Sequence, residues 1–307
     1  MLYFIVNEKS KSGNGTRIWK ELHSFLEKYK IPYKAWTTEY KNHATLLARK
    51  ICQKDDSDIR LIVIGGDGTI HEVINGITDF EKICLGVIPN GSGNDFARGL
   101  KLSGTPLEYL KRILSSTSQE CIDLGKVTWS CAEKPHLFAI SSGVGMDALV
   151  CKNTDTSRLK KILNSLRLGK LSYLMITVYS LFSMTTSNMT ARFDEQEPQD
   201  FQKLLFTAVM NFRAEGGGVP MAPRATARDG KLSVCTVHKL PKWLTFFYLP
   251  ILAAAKHEHL PGVHIIDCNT LELTLDSPMT LHADGEYLGD ATDVRYECLP
   301  GKLRLIV

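Results

Sequence analysis

The 307-residue sequence lacks the features of secreted, membrane-spanning and nucleic-acid-binding proteins. Its eight cysteines form no C-x-x-C pair, so we expect reduced thiols in a cytoplasmic protein. The most apolar stretch, residues 171–184, is interrupted by polar side chains and is shorter than the roughly 20 residues of a spanning helix. A net charge of +4 is too diffuse to indicate nucleic acid, and residues 1–6 have no basic region before them that would mark a signal peptide. What remains is typical of a cytoplasmic globular enzyme without a transmembrane segment.

A glycine-rich turn, Gly65-Gly66-Asp67-Gly68-Thr69, follows the apolar run 61–64 and precedes apolar residues at helical spacing. A strand, a tight turn and a helix start expose unpaired backbone N–H groups, which bind phosphate. Glycine permits the ligand to approach the backbone closely. An aspartate would repel a phosphate alone, so Asp67 indicates a divalent cation or a substrate hydroxyl beside it. The alternative interpretation of this motif by itself is a plain turn in an α/β domain.

A second turn of the same kind follows the apolar run 83–88 and carries Ser92, Asn94 and Asp95. Two such turns at the carboxyl ends of neighbouring strands define the crevice in which doubly wound sheets bind ligands. Much later in the chain, Asp284 and Glu286 flank a glycine, so both carboxylates can converge on one site.

The pattern of apolar runs divides the chain into two domains. Residues 1–122 alternate strands and helices, which predicts a Rossmann-like, three-layer α/β domain with a parallel sheet. Residues 123–295 show short strand-like runs, which predict an antiparallel β-sandwich with inserted helices near 157–184 and 241–255. The predicted strands are 2–7, 33–37, 60–64, 83–88, 136–141, 203–210, 231–238, 263–266, 270–275, 280–283 and 302–307. The predicted helices of the first domain are 16–30, 43–54, 70–77, 94–100 and 106–116.

Taken in order, these motifs resemble the diacylglycerol kinase catalytic family, which includes sphingosine and ceramide kinases, and most of all its soluble bacterial branch. The resemblance covers nearly the whole chain and differs in the first loop, where Glu8 replaces a proline and 9–11 look inserted. The segments that carry the resemblance are Asn7 with 12–15, then 65–69, 89–98, 143–148, 222–223, 229–232 and 284–286.

The resemblance implies a lipid kinase that uses ATP and Mg²⁺ to phosphorylate a primary hydroxyl of diacylglycerol or a related lipid alcohol. Its active site would lie in the interdomain cleft, and residues 296–307 would return to the first domain. Glu286 would be the base, with Asp284 assisting it or binding metal, while Asp67 and Asp95 would hold the catalytic Mg²⁺. The implied nucleotide contacts are Thr38, Gly65, Gly66, Asp67, Gly68, Thr69, Ile70, His71, Ser92 and Asn94.

The family's bacterial members also imply a structural Mg²⁺ on Asp229 and the carbonyls of Thr226 and Lys231. The alternative for this segment is an Asp-Gly type I′ hairpin turn between two strands.

Partners and rival functions stay open at this stage. The implied partner is a lipid substrate at the inner membrane surface, with no nucleic acid, and a homodimer through a sheet edge is an option. A basic segment, 158–170, either contacts anionic lipid or is a solvated helix face. The rivals are a kinase of the NAD kinase type, which shares the Gly-Gly-Asp-Gly turn, and a catalytically silent lipid- or nucleotide-sensing protein.

Overall fold

The computed structural model describes residues 1–56, 58–116, 118–156 and 179–306, and its first half alternates strands with helices. The strands are β1 (Leu2–Val6), β2 (Tyr33–Thr37), β3 (Ile59–Gly65) and β4 (Ile83–Pro89). The helices are α1 (Ser10–Lys28), α2 (His43–Cys52), α3 (Asp67–Ile74), α4 (Asp95–Gly99) and α5 (Pro106–Ser115).

These four strands pair in parallel in the order β4-β3-β1-β2. Every residue of β1 is buried, as expected of a strand covered on both faces. Tyr3 and Ile5 pack into a core with α2 and α3, whereas Leu2, Phe4 and Val6 pack into a second core with α1 and α5. Alternate side chains of β1 therefore anchor helices on opposite faces, which leaves the carboxyl ends of the strands free to carry loops.

The second half is rich in antiparallel strands, as the sequence predicted. Its strands are β5 (Glu120–Trp129), β6 (His136–Phe138), β7 (Ser141–Gly145), β8 (Ser187–Phe193), β9 (Gln199–Met210), β10 (Leu232–His238), β11 (Val263–Cys268), β12 (Thr270–Ala283) and β13 (Glu286–Ile306). Its helices are α6 (Met146–Thr156) and α7 (Thr245–Ala253), the latter preceded by a 3₁₀ turn, Lys242–Leu244. None of the helices in the described part of the chain combines the length and apolarity needed to cross a membrane.

Several element boundaries differ from the predictions. Helix α3 begins at Asp67, so the aspartate of the first glycine turn lies in the first helical turn rather than before it. The predicted strands 270–275 and 280–283 are one strand, β12, with a register shift between Thr274 and Met279. No clear pattern in the sequence predicted β5, β8 or most of β13. Of the predicted helix 157–184, residues 179–183 are helical, and the rest, with the basic segment 158–170, lies outside the described residues.

Strand β13 connects the two halves. It pairs antiparallel with β12 and β5 along most of its 21 residues. Near its end it runs parallel to β4, with Leu305 opposite Leu85 and Ile306 opposite Gly86. The strand that begins at Glu286 therefore ends in the sheet that carries the glycine turns.

Candidate active site

The two glycine turns touch each other through their backbones. A Cβ atom on Gly66 would lie 2.8 Å from the Cα of Gly91, and a Cβ on Gly91 would lie 2.8 Å from the Cα of Gly66. Asn90 N–H also donates to the Gly65 carbonyl at 2.7 Å. Glycine is required at 66 and 91 because any side chain there would separate the loops that follow β3 and β4.

Asparagine side chains fasten the loop after β1 to these two turns. The amide of Asn90 donates to Ser10 Oγ at 2.6 Å, and Asn14 Nδ2 donates to Asn90 Oδ1 at 2.8 Å. Asn7 Nδ2 donates to Thr69 Oγ1 at 2.9 Å. Three loops at the carboxyl ends of parallel strands are thereby held as one unit.

These loops line a polar cavity of about 790 Å³. Six of the ten predicted nucleotide contacts line it: Thr38, Gly66, Asp67, Gly68, Thr69 and Ser92. The other four do not line it: Gly65, Ile70, His71 and Asn94. Sequence reasoning missed Lys9, Lys11 and Lys41, three cations in the lining. The only signal for them was the lysine content of the segments beside the first loop and β2.

Asp67 and Asp95 converge on one small space. A Cβ atom on Gly93 would lie 3.2 Å from Asp67 Oδ2 and 3.2 Å from Asp95 Oδ2. Asp67 also accepts the N–H groups of Asp95 and Phe96 at 3.1 Å each, which caps the start of α4. Burial raises the pKa of Asp67. Two hard carboxylate oxygens facing a space kept open by glycine form a donor set that suits Mg²⁺.

Asp95 is oriented by two further contacts. Arg98, one turn later in α4, forms an ion pair with Asp95 Oδ1. The N–H of Gly217 donates to Asp95 Oδ2 at 2.7 Å. Gly217 belongs to the second half of the chain, so this carboxylate is held from both halves.

The Asp284-Gly285-Glu286 turn brings its two carboxylates to the same region but points them in different directions. Asp284 and Gly285 adopt φ of 49° and 84°. The buried Asp284 accepts the backbone N–H of Ile140 at 2.8 Å and lies 3.0 Å from His71 Nδ1. Glu286 lines the polar cavity, where its Oε2 pairs with Lys41 Nζ at 2.7 Å.

Asp284 opens onto a second cavity, which is mostly apolar and about 220 Å³ in volume. Its lining combines carboxylates, such as Asp67, Asp95 and Asp284, with apolar side chains. Asp67 lines both cavities, so the polar and apolar spaces meet at its carboxylate. The apolar side chains are Ile140, Met146, Val150, Val219, Met221, Leu249 and Leu252.

A buried cluster of Asp147, Glu215 and His282 in the same wall was not predicted from the sequence. His282 Nε2 lies 3.2 Å from Asp147 Oδ2, and Gly285 N–H donates to His282 Nδ1 at 3.3 Å, so the ring proton is on Nε2. Burial raises the pKa of Glu215 to about 6, and Ser141 Oγ donates to its carboxylate. This network packs beneath the Asp284 turn and fixes it. The run of glycines after Glu215 was the one sequence signal available.

The Asp229 segment is not a hairpin turn. Strand β9 ends at Met210 and its antiparallel partner β10 begins at Leu232, so a long connection, and not a two-residue turn, joins the two strands. Gly230 has φ of 72°, but Asp229 does not have the positive φ that a type I′ turn needs at both positions. The hairpin interpretation is therefore wrong. Asp229 Oδ1 instead accepts the N–H of Lys231 at 3.0 Å.

Comparisons with known proteins agree with this architecture. Residues 1–127 match the family described as "Diacylglycerol kinase catalytic domain", and residues 140–307 match "YegS C-terminal NAD kinase beta sandwich-like domain". A Bacillus subtilis (strain 168) protein described as "Putative lipid kinase YtlR" is 33% identical over 99% of this chain and 98% of its own length. A diacylglycerol kinase of Staphylococcus carnosus (strain TM300) is 27% identical over 86% of this chain and 81% of its own.

Solved structures show the same fold. A "putative diacylglycerol kinase" from Bacillus anthracis str. Sterne superposes with a TM-score of 0.77 at 20% identity, covering 99% of this chain and 96% of that one. An NAD kinase from Archaeoglobus fulgidus in complex with ATP superposes with a TM-score of 0.55 at 11% identity, covering 100% and 94%.

Proposed function

We propose that this chain is an ATP- and Mg²⁺-dependent lipid kinase. The premise is that it belongs to the family that joins a diacylglycerol kinase catalytic domain to a YegS C-terminal domain. It transfers the γ-phosphate to a primary hydroxyl of a lipid such as diacylglycerol. The observation that carries the proposal is the meeting of a polar and an apolar cavity at Asp67. A phosphoryl donor and a lipid acceptor need two such spaces with one shared boundary.

The phosphate donor occupies the polar cavity. Backbone N–H groups at the start of α3 and the hydroxyls of Thr69 and Ser92 contact the phosphates. Lys9 and Lys41 add positive charge at the cavity wall. Asp67 and Asp95 would hold Mg²⁺, whose charge would offset the negative charge on the transferred group.

The acceptor occupies the apolar cavity, with its hydroxyl at the boundary between the two spaces. Glu286 accepts the hydroxyl proton, since its carboxylate faces the phosphate side and its side chain is 29% exposed. Asp284 is held by backbone N–H groups and His71, an arrangement that suits a positioning carboxylate better than a proton acceptor. Proton removal at this point is the general-base step that phosphoryl transfer to an alcohol requires.

We place the domain limits at residues 1–122, completed by 296–307, and at 123–295, with the active site between them. The pairing of β13 with β4 supports the return of the last residues to the first domain. The enzyme acts on lipid at the cytoplasmic face of the membrane.

A second Mg²⁺ on Asp229 and the carbonyls of Thr226 and Lys231 remains part of the proposal. The supporting observation is that Asp123, a buried carboxylate, accepts the N–H of Gly230 at 2.8 Å and so fixes the same loop. A preformed loop lowers the cost of binding a metal through carbonyl oxygens. Asp229→Ala should remove Mg²⁺-dependent thermal stabilisation measured without nucleotide, while Asp67→Ala should leave it in place.

An NAD kinase-like activity is the second candidate, because the fold is shared with an NAD kinase. The lining of the acceptor cavity disfavours it. Apolar side chains from α6 and α7 would face the adenosine ribose of NAD, which carries several hydrogen-bonding groups.

The test is transfer of label from γ-labelled ATP with Mg²⁺ into a total lipid extract, followed by chromatography. Wild type should give one labelled lipid class, and Glu286→Gln should reduce the label by at least about a hundredfold, the range expected for losing a general base. ATP affinity should change little in this variant.

Asp284→Asn separates the two carboxylate roles. A positioning role predicts a smaller loss in transfer rate than that of Glu286→Gln, with an unchanged pH profile. Label entering NAD instead of lipid would replace the lipid assignment with the second candidate, and equal turnover in wild type and both variants would refute the site.

A further inference from the structure

Half of the large exposed hydrophobic side chains in the described residues belong to one group, five of ten. We call this group the aromatic patch: Tyr179, Phe182, Trp243, Phe246 and Phe247. Their exposed fractions are 65%, 57%, 61%, 38% and 64%. Two pairs of these rings are in contact, with centroids 6.0 Å apart for Phe182 and Phe246 and 6.2 Å apart for Trp243 and Phe247. A contiguous exposed apolar group of this kind marks an interaction surface.

Helix α7, with the sequence TFFYLPILA, has apolar side chains around nearly its whole circumference. Leu244, Tyr248 and Leu252 pack against the core of the second half. Trp243 and Phe247, four residues apart, share another face, where they are exposed. Helices that are apolar all round are normally covered on every side by protein or by lipid.

The charged residues within the segment that carries Trp243, Phe246 and Phe247 are of one sign. Between Asp229 and Glu258 the sequence contains no acidic residue, and the charged residues from 239 to 256 are Lys239, Lys242 and Lys256. Lys242 binds the carbonyls of Phe182 and Met184 and so links the two segments of the patch. Lys239 and Lys256 are exposed. Lysines beside exposed tryptophan and phenylalanine are the composition of an interfacial membrane-binding surface.

The patch is continuous with the acceptor cavity through α7. Leu249 and Leu252 of this helix line the apolar cavity that ends at Asp284. Phe246 and Phe247 lie on the same helix, a single turn away from Leu249. A surface on which the outer face of α7 rests would thus lie directly outside the cavity wall.

We infer that the aromatic patch docks the protein on an anionic membrane surface and brings the apolar cavity against the lipids from which its acceptor is drawn. Docking inserts Trp243, Phe246 and Phe247 at the headgroup boundary, while Lys239 and Lys256 contact lipid phosphates. The inference deepens the proposed function and depends on it only for the identity of the cavity's occupant. The other occupant of such a patch would be a second copy of the chain.

The test measures sedimentation of the full-length protein with vesicles. One set contains phosphatidylglycerol mixed with phosphatidylcholine, and the other contains phosphatidylcholine alone. Wild type should partition more strongly into the anionic vesicles, and Trp243→Ala/Phe247→Ala should lower its partition coefficient about tenfold or more. Lys239→Gln/Lys256→Gln should lower binding to anionic vesicles about tenfold and leave binding to neutral vesicles unchanged.

Tyr29→Ala is the matched control, because Tyr29 is an aromatic residue of similar exposure, 59%, at the end of α1 and outside the patch. It should bind vesicles like wild type. Equal partitioning of wild type and Trp243→Ala/Phe247→Ala would overturn the inference. So would a wild-type dimer that this double substitution converts to monomer while vesicle binding persists.

A second measurement separates docking from catalysis. With a short-chain diacylglycerol dispersed as monomers, Trp243→Ala/Phe247→Ala should keep kcat/KM within about threefold of wild type, because no membrane is involved. With the same headgroup in vesicles, its rate should fall in parallel with its partition coefficient. Absence of all kinase activity in wild type would refute the proposed function, whereas the vesicle measurement would still decide the docking.

Discussion

Substitution of Gly66 by alanine tests whether the contact between the two glycine turns sets the position of the phosphates. Gly66 has φ of −96° and ψ of −175°, so alanine is conformationally allowed there. The change by itself would stabilise the chain by about 0.4–1 kcal/mol through the unfolded state. Any loss of stability or activity must therefore come from the contacts of the new Cβ atom.

The size of the effect follows from one distance. The Cβ would lie 2.8 Å from Gly91 Cα, whereas carbon atoms in contact prefer about 3.5–4.0 Å, so the loops must move apart by about 1 Å. Overpacking of this kind costs about 1–3 kcal/mol in the free energy of unfolding. A displacement of about 1 Å at the phosphate-binding backbone should lower kcat/KM for ATP by about a hundredfold.

Gly86→Ala provides the matched control. Its Cβ would meet Ile113 Cδ1 at 2.9 Å, a similar overlap, but against a side chain in the core behind β4. Urea unfolding should show destabilisation for both variants, smaller for Gly86→Ala because the end of the Ile113 side chain can move aside, while steady-state kinetics with varied ATP should show the large loss only for Gly66→Ala. Equal kcat/KM in the two variants would refute the reasoning, since the loop contact would then have no role beyond stability.

Three further predictions concern stability. Burial raises the pKa of Glu215 to about 6, so the folded state binds this proton more tightly than the unfolded state and loses stability as pH rises from about 4.5 through 6. Glu215→Gln should remove that loss. In urea unfolding, the stability of the variant relative to wild type should therefore be about 2 kcal/mol higher at pH 7 than at pH 4.5. Asp123 accepts N–H groups from Gly230 and Gly301, so Asp123→Ala should lower the free energy of unfolding by about 2–4 kcal/mol, and an unchanged Tm would contradict this. Thr105 forms a capping box at the start of α5, and Thr105→Ala should cost about 1 kcal/mol, whereas Thr105→Ser should cost little.

The first half of the fold was predictable from local pattern. Strands that are buried on both faces appear as short β-branched runs, and each is followed by a glycine turn or a helical repeat. The error at Asp67 has a physical reason: a residue that follows an extended glycine can already be helical while its side chain caps the next helix, and only the partner α4 reveals this.

The second half was less readable because its elements depend on distant partners. Strand β8 alternates buried and exposed residues, but its polar side, as in Asn188 and Thr190, resembles a loop until β9 and β12 are placed beside it. Strand β13 contains Pro300 and Gly301, which interrupt any local strand pattern.

The residues of the candidate site also differ in how far the sequence predicts them. The turns that carry Asp67, Asp95 and Asp284 are visible as motifs, since glycine must stand beside the functional side chain. Glu215 and His282 are not, because their significance arises from burial beside Asp147 and not from sequence spacing.

The course of β13 has a consequence for the order in which the chain folds. Strand β4 has β3 on one side, and on the other it pairs with residues 305–306, more than 200 positions later. During synthesis the first half emerges early, yet this edge of its sheet stays open until residues 305–306 have left the ribosome. Contacts of such long sequence separation close slowly. We therefore expect the ribosome-bound first half to associate readily through this sheet edge. The amides of β4 should become fully protected from hydrogen exchange only when those of β13 do.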